Sequence, residues 1–301
     1  MPKVAPNVVV SVITPFAPGG QLDEVLLRAQ LRRMAAAGVA VNVAGSGAGE
    51  AFTFTPEERD RVLAIAVEEL SGKVQVRALG CEPRTAADMI AFLRAAERAK
   101  VDAAQVFSLD IGNGIKPVKS EMRAYYDSVL SSTALPLYLS SHQAAGYLLP
   151  LDLVEDLADR HTNIAGIGYG GSDAVYLAEL IARVGGRIQV HVAGPGQALT
   201  ALGLGAHGFM GAEGNFAPSL AARVVGCFAA GDLAGLKTAY GKLMALHALI
   251  HRIGGGSMRG VKPLMNAFGL PGGTLRLPRL PITDKELADA VASVRALELT
   301  L

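Results

Sequence analysis

The side chains that could carry chemistry in this 301-residue chain collect at the ends of short apolar runs. They are Thr14, Ser46, Glu50, Glu82, Ser108, Ser140, His142, Tyr169, His191, Gln197, Glu213 and Asn215. His191, His142, Tyr169 and Glu50 have the groups needed for general acid–base catalysis. Ser140 and Ser141 offer hydroxyls, but a nucleophilic serine needs a base within hydrogen-bond reach. His142 is adjacent in sequence, and neighbours on a strand point to opposite faces, so both serines read first as hydrogen-bonding residues. His142, His191 and Glu50 lack any local ligand spacing, so neither a metal nor another cofactor is expected. The run Gly168-Tyr169-Gly170-Gly171 can present backbone N–H groups to a carboxylate or phosphate, or simply turn the chain into a helix at Ser172.

Positioning such residues falls to an alternating series of elements. Strands are predicted at Val8–Ile13, Val41–Ala44, Val74–Leu79, Ala103–Phe107, Leu137–Leu139, Ile164–Ile167, Ile188–Ala193 and Gly208–Met210. Between them, helices are predicted at Asp23–Ala37, Pro56–Leu70, Thr85–Ala99, Lys119–Ser132, Pro150–Asp159, Ser172–Val184 and Pro195–Gly203. The second helix has a clear start signal, with Thr55 as N-cap, Pro56 at the first helical position and Glu58 three residues beyond the cap. Eight strands joined by helical crossovers predict a parallel sheet, and eight is the number that closes into a TIM (β/α)8 barrel. An open doubly wound sheet is the alternative, although no G-x-G-x-x-G follows the first strand. After Pro218 only helices are predicted: Ser219–Ala230, Asp232–Ile253, Met258–Ala267 and Thr283–Ala296, punctuated by Gly254-Gly255-Gly256. The α/β barrel is therefore assigned to residues 1–231 and a C-terminal helical extension to 232–301.

Half the residues are hydrophobic and 18% are charged, which excludes disorder for most of the chain. A net charge of +1 argues against a nucleic-acid partner, because phosphate binding needs a concentrated basic surface. Two cysteines, Cys81 and Cys227, make neither a disulfide framework nor a zinc cluster. No apolar run reaches the length of a membrane helix, and the N-terminus lacks the pattern of a signal peptide, so a cytoplasmic chain without a membrane partner is expected.

Several segments resemble the dihydrodipicolinate synthase and N-acetylneuraminate lyase family. Ile13-Thr14-Pro15-Phe16 with Gly20 and Asp23 is similar to its start, and Val43–Glu50 followed by Phe54-Thr55 and Glu57-Glu58-Arg59 to its Gly-Thr-Thr-Gly-Glu loop. Asn163–Ile167 resembles its sixth strand, Gly205–Gly208 with Asn215 and Pro218 its eighth, and Val261-Lys262 with Leu270–Gly273 its C-terminal helices. The resemblance implies a TIM barrel with a helical extension, a homotetramer or dimer, and a small keto acid or sugar acid as ligand. It also implies a Schiff-base lysine at the end of strand six.

At that point the chain departs from the family. The lysine falls at Gly168, the strand-five tyrosine at Ser140, and the paired threonines at Gly47 and Ala48 or at Ser46 and Gly47, since that loop is one residue longer. Tyr138 lies two residues before Ser140, on the same face but roughly 6–7 Å deeper. The carboxylate-holding arginine has no counterpart in His142–Gly146. Of nine lysines, Lys116 reads as a surface or subunit-contact residue and Lys262 as exposed or salt-bridged. Tyr169 could fill part of the volume vacated at Gly168. The expected ligand-binding set is Ser46, Glu50, Ser140, Gly168, Tyr169, His191 and Asn215. Three functions follow: a lyase using acid–base chemistry without an imine, a catalytically silent ligand-binding or regulatory homologue, or a scaffold partner of an active paralogue.

Overall fold

The computed structural model describes residues 6–255 and 258–300, which leaves Gly256 of the predicted glycine break outside. Eight parallel strands close into a barrel in chain order: β1 (Asn7–Ser11), β2 (Ala40–Gly45), β3 (Val76–Gly80), β4 (Ala103–Val106), β5 (Leu137–His142), β6 (Ile164–Gly170), β7 (Gln189–Ala193) and β8 (Gly208–Gly211). A helix follows each strand: α1 (Glu24–Ala36), α2 (Pro56–Leu70), α3 (Ala86–Ala99), α4 (Lys119–Leu130), α5 (Leu151–Arg160), α6 (Ala174–Val184), α7 (Ala198–Gly203) and α8 (Pro218–Ala230). The helices α9 (Leu233–Ile253), α10 (Val261–Ala267) and α11 (Asp284–Arg295) complete the chain. This is the predicted TIM barrel with C-terminal helices.

Contacts divide the chain into two compact units, one built from 77–210 and the other from 7–76 and 211–301. In the first, β5 and β6 pair over six positions, among them Tyr138 with Gly166, Ser140 with Gly168 and His142 with Gly170. On the other side of β6, Gly168 pairs with His191 of β7, which pairs in turn with Gly208. Residues paired in parallel strands share a face, and the period of two places Ile167 and Tyr169 on the opposite one. The sequence reading ended strand six at Ile167, but pairing with β7 carries it to Tyr169 and pairing with β5 to Gly170. Gly168-Tyr169-Gly170 is therefore strand, not the turn into α6.

In the second unit, β1 and β2 pair from Val9–Ala40 to Ser11–Asn42. The α2 helix starts as its sequence requires: the Thr55 hydroxyl accepts from the Glu58 amide at 3.2 Å, and the Glu58 carboxylate accepts from the Thr55 amide at 3.0 Å. Arg28 and Arg32 of α1 reach Glu69 of α2 at 2.9 and 2.8 Å, a charged seam between the two helices. Two predicted helices begin as 3₁₀ turns, at Pro195–Gln197 and Met258–Gly260, before becoming α7 and α10. Among the described residues, no helix is long and apolar enough to cross a membrane.

Candidate functional site

In the 77–210 unit, β5, β6 and β7 bring Ser140, Gly168 and His191 side by side on one face. A Cβ added at Gly168 would lie 2.5 Å from the terminal methyl of Met210, at the C-terminal end of β8. Met210 therefore occupies the space in front of Gly168. Tyr169, expected to fill it, does not: its ring stacks on Tyr176 of α6 at 5.3 Å, and its hydroxyl donates to the Asp173 carbonyl at 2.7 Å. The cause is strand alternation, which turns residue 169 away from the face of residue 168.

The other glycines of this run are covered as well. A Cβ at Gly170 would collide with the ring of His142, and one at Gly171 would meet the Tyr169 ring at 2.9 Å. The missing side chains of these glycines admit the neighbouring rings. The Nδ1 of His142 accepts from the amides of Ala144 and Ala145 at 3.1 and 3.2 Å, so this histidine holds the loop after β5. Burial lowers its pKa. Ser141 is similarly engaged, accepting from the Leu149 amide at 3.0 Å and contacting the Tyr176 hydroxyl at 2.9 Å. The Ser108 hydroxyl donates to the Ser140 carbonyl at 3.3 Å, and Ser140 itself is buried.

His191 is fully buried, and burial first, then Arg77 and His207, hold its pKa well below the ordinary histidine range. Its imidazole edges the Tyr138 ring at 6.1 Å. Below this level Tyr138 donates its hydroxyl to Gln189 at 2.9 Å, and the Arg77 guanidinium lies 3.7 Å over its ring. Burial draws Arg77 down to about 10. The sequence reading passed over Arg77, although a lone arginine inside the apolar run Val74–Leu79 was a usable signal.

Beyond the ends of β3, β4 and β5 lies a polar cavity of about 450 Å³, lined in part by Glu82, Arg84, Ser108, Asp110, Lys116 and Tyr147. Arg84 pairs with Asp110 at 3.2 Å. Lys116 is exposed, donates to the Leu148 carbonyl at 3.3 Å and sits 5.4 Å from the Tyr147 ring.

The remaining expected residues belong to the other unit. Glu50 adopts a left-handed backbone (φ 56°) and is buried, with Oε1 accepting from Lys262 at 2.5 Å and Oε2 from the Arg276 amide at 3.0 Å. Lys262 also donates to the carbonyls of Thr14 and Thr274 at 2.6 and 2.9 Å. Of the two expected roles, exposed or salt-bridged, it takes the second and is buried, and burial brings its pKa down to about 8. Asn215 gives both amide hydrogens to Ser11 and Ala212 carbonyls and accepts from the Ile13 amide and Gln30. That uses its full hydrogen-bonding capacity, so Asn215 fixes the frame and has nothing left for a ligand. Ser46 follows β2 and is half-buried.

Sequence reasoning missed a further group in this unit. Glu213, His247 and His251 offer ligand atoms that all lie within 4.8 Å of one another. The signal was His247-x-x-x-His251 inside the predicted helix Asp232–Ile253.

The profile of the dihydrodipicolinate synthetase family matches residues 5–297. The chain is 32% identical over 240 residues to a 4-hydroxy-tetrahydrodipicolinate synthase of Acidithiobacillus ferrooxidans, covering 79% of this chain and 80% of that protein. It is 26% identical to a probable 5-dehydro-4-deoxyglucarate dehydratase of Bradyrhizobium, covering 98% and 93% of the two chains. In fold it matches YagE, a prophage protein of Escherichia coli K12 solved with pyruvate, at a TM-score of 0.90, 24% identity and coverage of 98% and 99%. A barrel of this topology, matched along nearly its whole length, places the chain in the dihydrodipicolinate synthetase family.

Proposed function

We propose that this protein is a lyase-type family member that holds a small keto acid or sugar acid at the barrel mouth and forms no imine with it. The observation that carries this reading is residue 168. A Schiff base needs a primary amine at the keto carbon. Glycine supplies none, and Met210 fills the space a lysine stem would take. Lys262 cannot substitute, because its three N–H groups are all engaged by oxygen acceptors. The cavity beyond β3, β4 and β5 falls within the about 300–1,000 Å³ of small-molecule sites and has Lys116 on its wall as a cation for an acidic ligand, Arg84 being paired with Asp110. The chain is read as a cytoplasmic homodimer or homotetramer.

Turnover falls to acid–base chemistry, with His191, beside Gly168 on the neighbouring strand, as its candidate group. A second reading, binding without turnover, is favoured by the engagement of His142, Tyr169, Glu50 and Asn215 in structural hydrogen bonds. Incubation of the full chain with pyruvate and borohydride, followed by mass spectrometry, tests the first claim. No lysine adduct is expected, and an adduct on Lys116 or Lys262 overturns it. A thermal-shift screen over keto acids and sugar acids tests binding, since a ligand at 100 times its Kd adds about 2.7 kcal/mol. A flat response to every acid points instead to a scaffold. Loss of turnover in His191→Ala separates the enzyme from the silent binder.

A further inference from the structure

We propose that Glu213, His247 and His251 form a binding site for a divalent transition-metal ion of the zinc class. The site stands independently of the keto-acid reading. Glu213 opens the 3₁₀ turn Glu213–Asn215 just after β8, and its side chain is 3% exposed. One carboxylate oxygen accepts from His247 Nδ1 at 2.5 Å; the other is buried with no hydrogen-bond partner. A buried carboxylate oxygen left without a donor is costly, and a bound cation is a standard resolution of that cost.

The two histidines sit one turn apart on α9, at a spacing that places side chains on the same helical face. Their ring centroids are 4.3 Å apart. Ligand atoms of all three residues lie within 4.8 Å of one another. A tetrahedral ion with bonds of about 2.0–2.2 Å needs them about 3.3 Å apart, so ligation opens the 2.5 Å contact between His247 and Glu213 and draws in any pair nearer the 4.8 Å limit. Two imidazoles and one carboxylate suit zinc, cobalt, nickel or ferrous iron better than magnesium or calcium, which prefer all-oxygen cages. Both histidines are half-exposed, so an ion has a path from solvent and positions left for water.

To hold the ion, both histidines must be neutral and the Glu213 carboxylate ionised, so protons compete with the metal for these three side chains. Affinity for the metal therefore falls as pH is lowered. The test uses the full chain, stripped with chelator and dialysed against Zn²⁺, with bound metal measured by elemental analysis. Co²⁺ substitution gives a second readout in the visible d–d absorption of a four- or five-coordinate ion. One ion per chain is expected, together with that absorption. Loss of an outer-shell partner alone weakens a metal site by about tenfold to a hundredfold, so His251→Ala, which removes a ligand, should weaken binding by at least about tenfold. His251 lies on a half-exposed helical face, so this variant is expected to keep the wild-type circular dichroism. Glu213→Gln removes the charge while keeping the shape, and His142→Ala serves as a control that should bind as wild type does. Failure of the wild type to retain Zn²⁺, or equal affinity in His251→Ala, overturns the site.

Discussion

A lysine whose pKa falls to about 8 has the acidity of an imine-forming residue, and Lys262 meets that condition through burial. Its geometry decides otherwise. The ammonium is 1% exposed and holds Thr14, Glu50 and Thr274 together, which makes it a tie between the β1 and β2 loops and the last helices. Lys262→Met should therefore strand the Glu50 carboxylate without its cation. The expected loss is about 3–5 kcal/mol in urea unfolding, with partial recovery in the double variant Lys262→Met/Glu50→Gln. A single variant as stable as wild type would show that the pair does not hold the frame. Of these residue-level facts, the glycine at 168 was legible in the sequence, whereas Lys262 was left open between an exposed and a salt-bridged role. Met210 in front of Gly168 was not legible, because the two residues lie on strands far apart in sequence. The direction of Tyr169 followed from strand period, but only once β6 was known to extend past Ile167.

Elements were easiest to read where local chemistry dictates them. The α2 helix begins at Pro56 as its capping residues require, and α3 and α11 use the same reciprocal box at Thr85 and Thr283. Strand six was cut short because glycine gives no strand signal of its own; its last residues are ordered by pairing with β5 and β7. The α1–α2 seam likewise depends on which helices become neighbours. Hydrogen bonds from Arg32 and then Arg28 draw Glu69 down from its ordinary 4.5 to about 2. A carboxyl depressed in the folded state stabilises fully above its unfolded pKa and loses that contribution as pH falls through the folded one. Stability should thus decline between about pH 4.5 and 2, and Glu69→Gln should flatten that part of the profile. Solvent screens the half-exposed arginines, so the expected difference near neutral pH is only about 1 kcal/mol. Chemical denaturation at a series of pH values checks it: parallel acid profiles for wild type and variant would remove the seam from the account.

For the whole molecule, the sequence placed a boundary at residue 231 by the change from alternating elements to helices alone. The packing runs across that boundary. One apolar cluster joins Ile13, Ala48, Ala212, Phe216 and Ala217 to Leu246, Leu249, Ile250, Ile253, Val261, Leu264, Met265 and Val294, all buried. Polar ties cross it too, since Arg276 donates to the Gly20 carbonyl and pairs with Glu58 at 2.7 Å. Burying each large apolar side chain is worth about 1.5–3 kcal/mol. The eight contributed by the extension therefore reach or exceed the about 5–15 kcal/mol by which a domain is stable. A chain ended after residue 231 would also leave Glu50 without Lys262 and expose Phe216 to water. We expect such a fragment to be unable to fold alone, with no cooperative thermal transition and no ordered aromatic circular dichroism, while the full chain shows both. If the fragment instead melts cooperatively with a native-like aromatic spectrum, the extension is an appended layer and the cluster around Phe216 is not needed for the barrel to close.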